Sequence, residues 1–156
     1  MANVSVLTDG TIFIREPFEL GINFNNSGTQ IYFLPTIELY VPVHMNIPSL
    51  PIVATWNGTN WIGTSGIITT YPNFPDVLLL PGVNVGDTYR IIDVGYSSYG
   101  PTQPILEFKF PDAIVDDVSF NIGNIYNLRT RGIFLLGENA VYDPMTDPPI
   151  IGPTIN

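Results

Sequence analysis

Fifteen prolines and fourteen glycines are spread so closely along the chain that few windows leave room for three turns of helix. Between them, apolar and polar residues alternate with the period of two that a half-buried β-strand requires. In FELGINFN, for example, the alternation predicts that one face packs inward and the other meets water, with Phe18, Leu20, Ile22 and Phe24 inward. The sequence therefore predicts an all-β chain.

The same alternation recurs in TIELYVPV, PILEFKF and YNLRTRGIFLL. In TIELYVPV it places Ile37, Leu39, Val41 and Val43 on one face. In PILEFKF the residues that share a face are Leu106, Phe108 and Phe110. In YNLRTRGIFLL one face carries Tyr126, Leu128 and Thr130, and the other carries Asn127, Arg129 and Arg131. Further candidate strands are Thr11–Arg15, Ile52–Trp56, Ile67–Thr70, Val77–Leu80, Asp87–Tyr96 and Val118–Ile122. About ten short strands with turn residues between them predict a Greek-key β-sandwich, immunoglobulin-like or jelly-roll-like. We expect one domain over residues 1–156, with an extended Pro-rich C-terminal segment from about residue 143.

The charge of the chain excludes several partner classes. Its formal net charge is −9 and it carries only five Lys plus Arg, too few to neutralise nucleic-acid phosphates or anionic lipid headgroups. No apolar run approaches the roughly 18 residues of a membrane span, so we expect no membrane insertion. The chain has no Cys, which excludes thiolate chemistry and Cys-based zinc sites. The first residues lack a signal-peptide pattern, so an extracellular setting would imply a mature form or an excised domain.

The only two tryptophans lie in WNGTNW, where an Asn-Gly turn would place Trp56 and Trp61 opposite one another on a hairpin. A carbohydrate site would use these rings by stacking, with Asn57, Asn60 and Tyr71 as neighbours. The alternative is that both rings only pack in the core, as Trp in a sandwich usually does. Strand register decides between them, and the sequence does not determine it.

Carboxylates supply the only candidate metal ligands. Asp112, Asp116 and Asp117 fall in PDAIVDD, and Asp143 and Asp147 lie in the tail. Calcium takes loop carboxylates and carbonyls, but the D-x-[DN]-x-[DN]-G pattern is absent, and turn-forming Asp is the simpler reading. The sequence thus predicts no cofactor and leaves open only a structural calcium ion.

No catalytic constellation is visible. The single histidine, His44, has no G-x-S-x-G nucleophile elsewhere in the chain, and no glycine loop matches a phosphate cradle. We therefore expect a protein that is not an enzyme.

Three stretches carry a family resemblance: EPFELGINFNNSGTQIYFLPTIELYVP, LLLPGVNVGDTYRIIDVGYSS and RGIFLLGENAVYDPMTDPPIIG. They resemble the immunoglobulin-like repeat modules of large bacterial surface proteins and adhesins in their turns and Pro-terminated strands. The resemblance implies a structural, extracellular role and no catalytic residues.

Three functions follow as hypotheses. The first is a structural or adhesive module of a cell-surface or extracellular assembly, such as a filament, whose partner is protein: itself or a neighbouring module, joined end to end or by strand addition. The second is a carbohydrate- or receptor-binding sandwich, lectin-like or of the phage-tail tip kind, that uses the Trp56/Trp61 hairpin. The third is a jelly-roll subunit of a capsid.

Overall fold

A computed structural model describes residues 2–8, 12–63, 66–67, 82–116, 126–136 and 150–151. All regular structure in these residues is β. The strands are β1 (Ala2–Thr8), β2 (Phe18–Asn26), β3 (Tyr32–Val41), β4 (Met45–Asn46), β5 (Ala54–Trp56), β6 (Trp61–Gly63), β7 (Gly66–Ile67), β8 (Thr88–Asp93), β9 (Ser98–Tyr99), β10 (Leu106–Val115), β11 (Arg129–Leu136) and β12 (Ile150–Ile151).

These strands form two antiparallel sheets. The smaller has the order β1-β2-β10-β4, and the larger has the order β12-β11-β3-β8-β5-β6-β7, with β9 also paired to β3. The chain passes from the smaller to the larger sheet after β2 and again after β10, and β2 pairs with β10 while β3 pairs with β11. The connections from β2 to β3 and from β10 to β11 therefore run side by side and join the two sheets.

The main core lies between the two sheets. The smaller sheet contributes Leu20, Ile22 and Phe24, and the larger contributes Ile37 and Leu39, all with no exposed surface. These are the inward positions that the alternation of FELGINFN and TIELYVPV predicts. The prediction of an all-β sandwich is therefore confirmed. The strand count is higher than about ten, because β4, β7, β9 and β12 are ladders of only two residues.

The opposite face of the larger sheet departs from prediction. Glu38 and Tyr40 alternate with the core residues of β3, so the sequence places them in water, yet both are buried. A second apolar cluster covers this outer face, with Tyr40, Ala54, Trp61 and Tyr89 as its buried members. The alternation fails because side chains of β3, β5, β6 and β8 pack on one another on this face, together with Val83 of the loop before β8.

Two local predictions are also wrong, and one strand runs further along the chain than its predicted stretch PILEFKF. Residues 12–15 form no strand, since Arg15 has a φ of 66° and its N–H bonds the carbonyl of Val115. Val43 lies beyond the end of β3 and is exposed. Strand β10 continues through Pro111 to Val115, because a register shift after Phe110 removes the proline from the ladder.

Strand β1 was not among the predicted strands, although Val4 and Val6 alternate as a strand requires. Of the predicted strands, Val77–Leu80, Val118–Ile122 and most of Ile67–Thr70 lie outside the described residues. Within the part that the structure describes, no helix is long and apolar enough to cross a bilayer.

Candidate functional site

The hairpin β5–β6 sets the positions of the two tryptophans. Trp56 and Trp61 face each other across the ladder with ring centroids 5.5 Å apart, which confirms the predicted cross-strand pair. The turn differs from a two-residue Asn-Gly turn. It spans four residues, and Asn57 Oδ1 accepts the backbone N–H groups of Thr59 and Asn60 at 2.8 and 2.7 Å. Gly58 has a φ of +100°, which suits glycine at this point of the turn.

The two rings differ in environment. Trp61 is only 1% exposed and packs against Tyr40 and Tyr89, at 6.3 and 6.1 Å between ring centroids. Trp56 is half-buried and lies at the edge of this cluster. The indole Nε1–H of Trp61 is buried and has no acceptor among the described residues. A buried donor without a partner is costly and marks a place where an acceptor from outside the chain would be stabilising.

A buried ion pair lies beside this aromatic cluster. The Glu38 carboxylate accepts hydrogen bonds from Arg131 Nε and from the hydroxyls of Tyr40 and Tyr89. Arg131 also lies over the Tyr40 ring, with Cζ 5.8 Å from the centroid. Burial, followed by the neighbouring carboxylate, raises the pKa of Tyr40 far above its ordinary value. These groups satisfy one another, so the pair reads as a structural element of the outer face.

The loop that precedes β8 is fixed by one carboxylate. Asp87 is buried, and its two oxygens accept the backbone N–H groups of Val43 at 2.9 Å and Asn84 at 2.8 Å. Backbone hydrogen bonds between Trp56 and residues 86 and 87 join the loop to the hairpin. The loop thus forms a wall next to Trp61, and residues 82–87 lead directly into β8.

A cavity of about 420 Å³ opens between this loop, the end of β3 and the start of β11. Its aromatic lining comes from Tyr40, Trp61 and Tyr126, and its polar lining includes His44, Asn84, Asn127 and Arg129. The volume falls in the roughly 300–1,000 Å³ range of small-molecule sites, and an aromatic wall with a few convergent polar groups is their usual composition.

The residues predicted for carbohydrate binding meet this cavity only in part. Trp61 lines it, whereas Trp56, Asn57 and Asn60 are not in its lining, and Asn57 Oδ1 is occupied within its own turn. Tyr71 lies outside the described residues. Trp61 is therefore the one predicted residue that the fold brings to the cavity.

The two described calcium candidates have separate partners. Asp112 accepts the Ser49 hydroxyl at 2.7 Å, and Asp116 pairs with Arg15 at 2.8 Å. Four residues along a strand span about 13 Å, too far for two carboxylates to bind one ion directly. Asp117, Asp143 and Asp147 lie outside the described residues. The described residues contain no group of three or more acidic or His side chains that could hold a metal ion.

Apart from Trp61, none of the residues that line the cavity was predicted as a site residue, and Arg129, Asp87 and Tyr126 are among those that were missed. One signal was present in the sequence, because Arg129 and Arg131 are two apart in RTR and so share a face of their strand. The chain has only five Lys plus Arg, so two of them on one face of one strand is an unusual concentration of positive charge. No sequence pattern announces Asp87, whose role depends on contacts distant along the chain.

Comparison of the chain with protein-family models, curated proteins and solved structures finds no match. The resemblance to immunoglobulin-like surface modules therefore rests on the sequence stretches alone.

Proposed function

We propose that this chain is a non-enzymatic structural module of an extracellular or cell-surface assembly, and that copies of it associate end to end. One observation carries the proposal: large apolar side chains are exposed at both ends of the sandwich. The Phe13 end consists of Ile12, Phe13, Ile14 and Val43, and the Ile105 end consists of Ile31, Leu34, Tyr96 and Ile105.

The two sets lie at opposite ends of β10. Ile105 immediately precedes the first residue of this strand, and Arg15, next to Ile14, bonds the carbonyl of its last residue, Val115. Ten strand residues separate the ends by about 30 Å. Phe13 and Ile105 are 62% and 63% exposed, so both ends present apolar surface to a neighbour.

The Ile105 end also holds a strained residue. Leu34 has a φ of 47°, which is rare for a bulky side chain, at the irregularity between β3 and β11. Its side chain is half exposed, so this backbone conformation directs an apolar group outward rather than into the core. Strain of this kind persists only where the surrounding structure holds the residue in place.

The outer face of the smaller sheet is unlike the ends. Lys109 forms exposed ion pairs there with Glu19 and Glu107 at 3.2 and 3.6 Å. A polar face and two apolar ends favour head-to-tail contact, in which the Phe13 end of one copy meets the Ile105 end of the next.

Sedimentation velocity over a range of protein concentrations tests this proposal. We expect concentration-dependent growth of the wild-type chain, and loss of that growth in both Phe13→Ser and Ile105→Ser. Because head-to-tail contact uses different surfaces, a mixture of the two variants should stop at heterodimers. Ile52→Ser, at an exposed residue of neither set, is the control. A wild-type chain that stays monomeric throughout would contradict the proposal.

A second function, carbohydrate binding, is supported by the cavity beside Trp61. Its aromatic wall and amide groups match the lining of saccharide sites. Saturation-transfer NMR with simple methyl glycosides tests it. Transfer to the sugar from the wild-type chain is expected, and no transfer to any of them would argue against it.

A further inference from the structure

Arg129 differs from the other cations of the chain. Arg15, Lys109 and Arg131 have carboxylate partners, and the buried Arg90 donates to backbone carbonyls and to Asn46. Arg129 lines the cavity and has neither an ion pair nor a side-chain hydrogen bond in the described part of the chain. Among the described cations, Arg129 thus differs from Arg90, which also lacks an ion pair but has its guanidinium hydrogen-bonded within the fold.

We propose that the cavity binds a carboxylate-bearing sugar, and that Arg129 recognises its carboxylate. This inference rests on the second proposed function. A guanidinium forms paired, charge-assisted hydrogen bonds with a carboxylate, which are stronger than neutral ones.

The nearest carboxylate in the lining cannot take the place of the ligand. Both oxygens of Asp87 accept backbone N–H groups, from Val43 and Asn84, and among the described residues Asp87 forms no ion pair with Arg129. The Arg129 guanidinium instead lies over Gly82: a Cβ built there would be 2.8 Å from its terminal nitrogen. Glycine at position 82, with a φ of +80°, thus leaves the room that the guanidinium occupies.

The remaining lining fits a sugar ring better than a bare anion. Tyr126, which is partly exposed, offers aromatic surface for the C–H groups of a pyranose, and Asn84 and Asn127 offer amides for its hydroxyls. A volume of about 420 Å³ is sufficient for one or two sugar residues.

The net charge of the chain also affects how an anionic ligand could bind. A protein of charge −9 repels an anionic ligand at long range, so binding must depend on contact with Arg129 rather than on electrostatic steering.

The test compares methyl β-glucuronide with methyl β-glucoside, which differ only at C6, where the first has a carboxylate and the second a hydroxymethyl group. Each is titrated against the full chain, and binding is followed by NMR and tryptophan fluorescence. We expect the glucuronide to bind at least about tenfold more tightly. Arg129→Gln should abolish this preference, and Arg129→Lys, which keeps the charge but loses the paired geometry, should reduce it. Lys109→Gln, a cation remote from the cavity, should leave it unchanged.

Each result is decisive. Equal binding of the two glycosides would overturn the recognition of the carboxylate but leave carbohydrate binding in place. No binding of either would overturn both. Inorganic phosphate or acetate that displaces the glucuronide at similar concentration would identify a general anion site and contradict the assignment to a sugar. Melting temperatures of all variants verify folding, and Arg129→Lys provides the measurement if Arg129→Gln does not fold.

Discussion

Arg131 on β11 and Glu38 on β3 are direct partners in the sheet register, and their side chains form an ion pair with exposures of 3% and 0%. The pair lies on the outer face of the larger sheet, next to the cluster around Trp61. Two tyrosine hydroxyls complete the hydrogen bonding of Glu38. A buried pair with this many partners is strongly destabilising to break, although it contributes little net stability while it is intact.

Arg131→Met should therefore lower the free energy of unfolding by about 3–5 kcal/mol, because it leaves a carboxylate buried without its cation. Urea denaturation at neutral pH measures the change. The matched control is Arg15→Met, which removes the partner of Asp116 from a pair that is more than half exposed and should cost at most about 1 kcal/mol. Equal losses in the two variants would contradict the structural role given to the buried pair.

The sequence alone predicted the β-sandwich and the residues of β2 and β3 that pack between its two sheets. Alternation with period two places Leu20, Ile22, Ile37 and Leu39 correctly because each needs only its own strand to define the face it occupies. It fails for Glu38, because the burial of that outer face depends on a hairpin and a loop that pack from distant parts of the chain.

The candidate site was predictable only to the extent that it is local. The Trp56–Trp61 pair follows from one hairpin and was predicted. The cavity needs β3, β11 and the loop before β8 to meet, and no single stretch of sequence records that meeting. Arg129 therefore appeared in the sequence only as a residue on a strand face.

Alkaline pH should destabilise the protein through its buried tyrosines. Burial raises the pKa of Tyr32, Tyr40 and Tyr99 above the ordinary value of 10.0. Above pH 10 the unfolded chain loses these protons while the folded chain keeps them. The stabilisation is therefore complete below pH 10 and is lost as the pH rises, by up to about 1.4 kcal/mol per pH unit for each tyrosine.

Urea denaturation at several pH values between 9 and 12 measures this slope. Tyr40→Phe should be less stable than the wild type at pH 9, because it loses the hydrogen bond to Glu38. Its free energy of unfolding should fall less steeply with pH, because unfolding of the variant releases one proton fewer. Stability that is flat across this range would contradict the assignment.

Asn26 should be a stability determinant at the Ile105 end. Its amide Nδ2 donates to the carbonyls of Gln30 at 2.7 Å and Tyr99 at 3.2 Å, and its Oδ1 accepts the N–H of Gly28 at 2.9 Å. We expect Asn26→Ala to cost about 2–3 kcal/mol, since it leaves buried backbone groups without partners. Asn26→Asp keeps the acceptor but sets a buried carboxylate oxygen against the two carbonyl oxygens, so it should be at least as destabilised as the alanine variant in thermal unfolding. An alanine variant as stable as the wild type would show that these bonds are not needed.

The two tryptophans should report separately on the hairpin. Trp61 is buried within the aromatic cluster and Trp56 lies at its edge, so their fluorescence should differ in emission maximum and in quenching by acrylamide. Trp56→Phe leaves only Trp61, whose emission we expect to be blue-shifted and protected. Trp61→Phe leaves only Trp56, whose emission should be redder and more readily quenched. The two variants control for each other, because both make the same substitution on the same hairpin. Protected emission from both rings would assign the whole pair to packing, and ready quenching of both would contradict the burial of Trp61, on which the cavity depends.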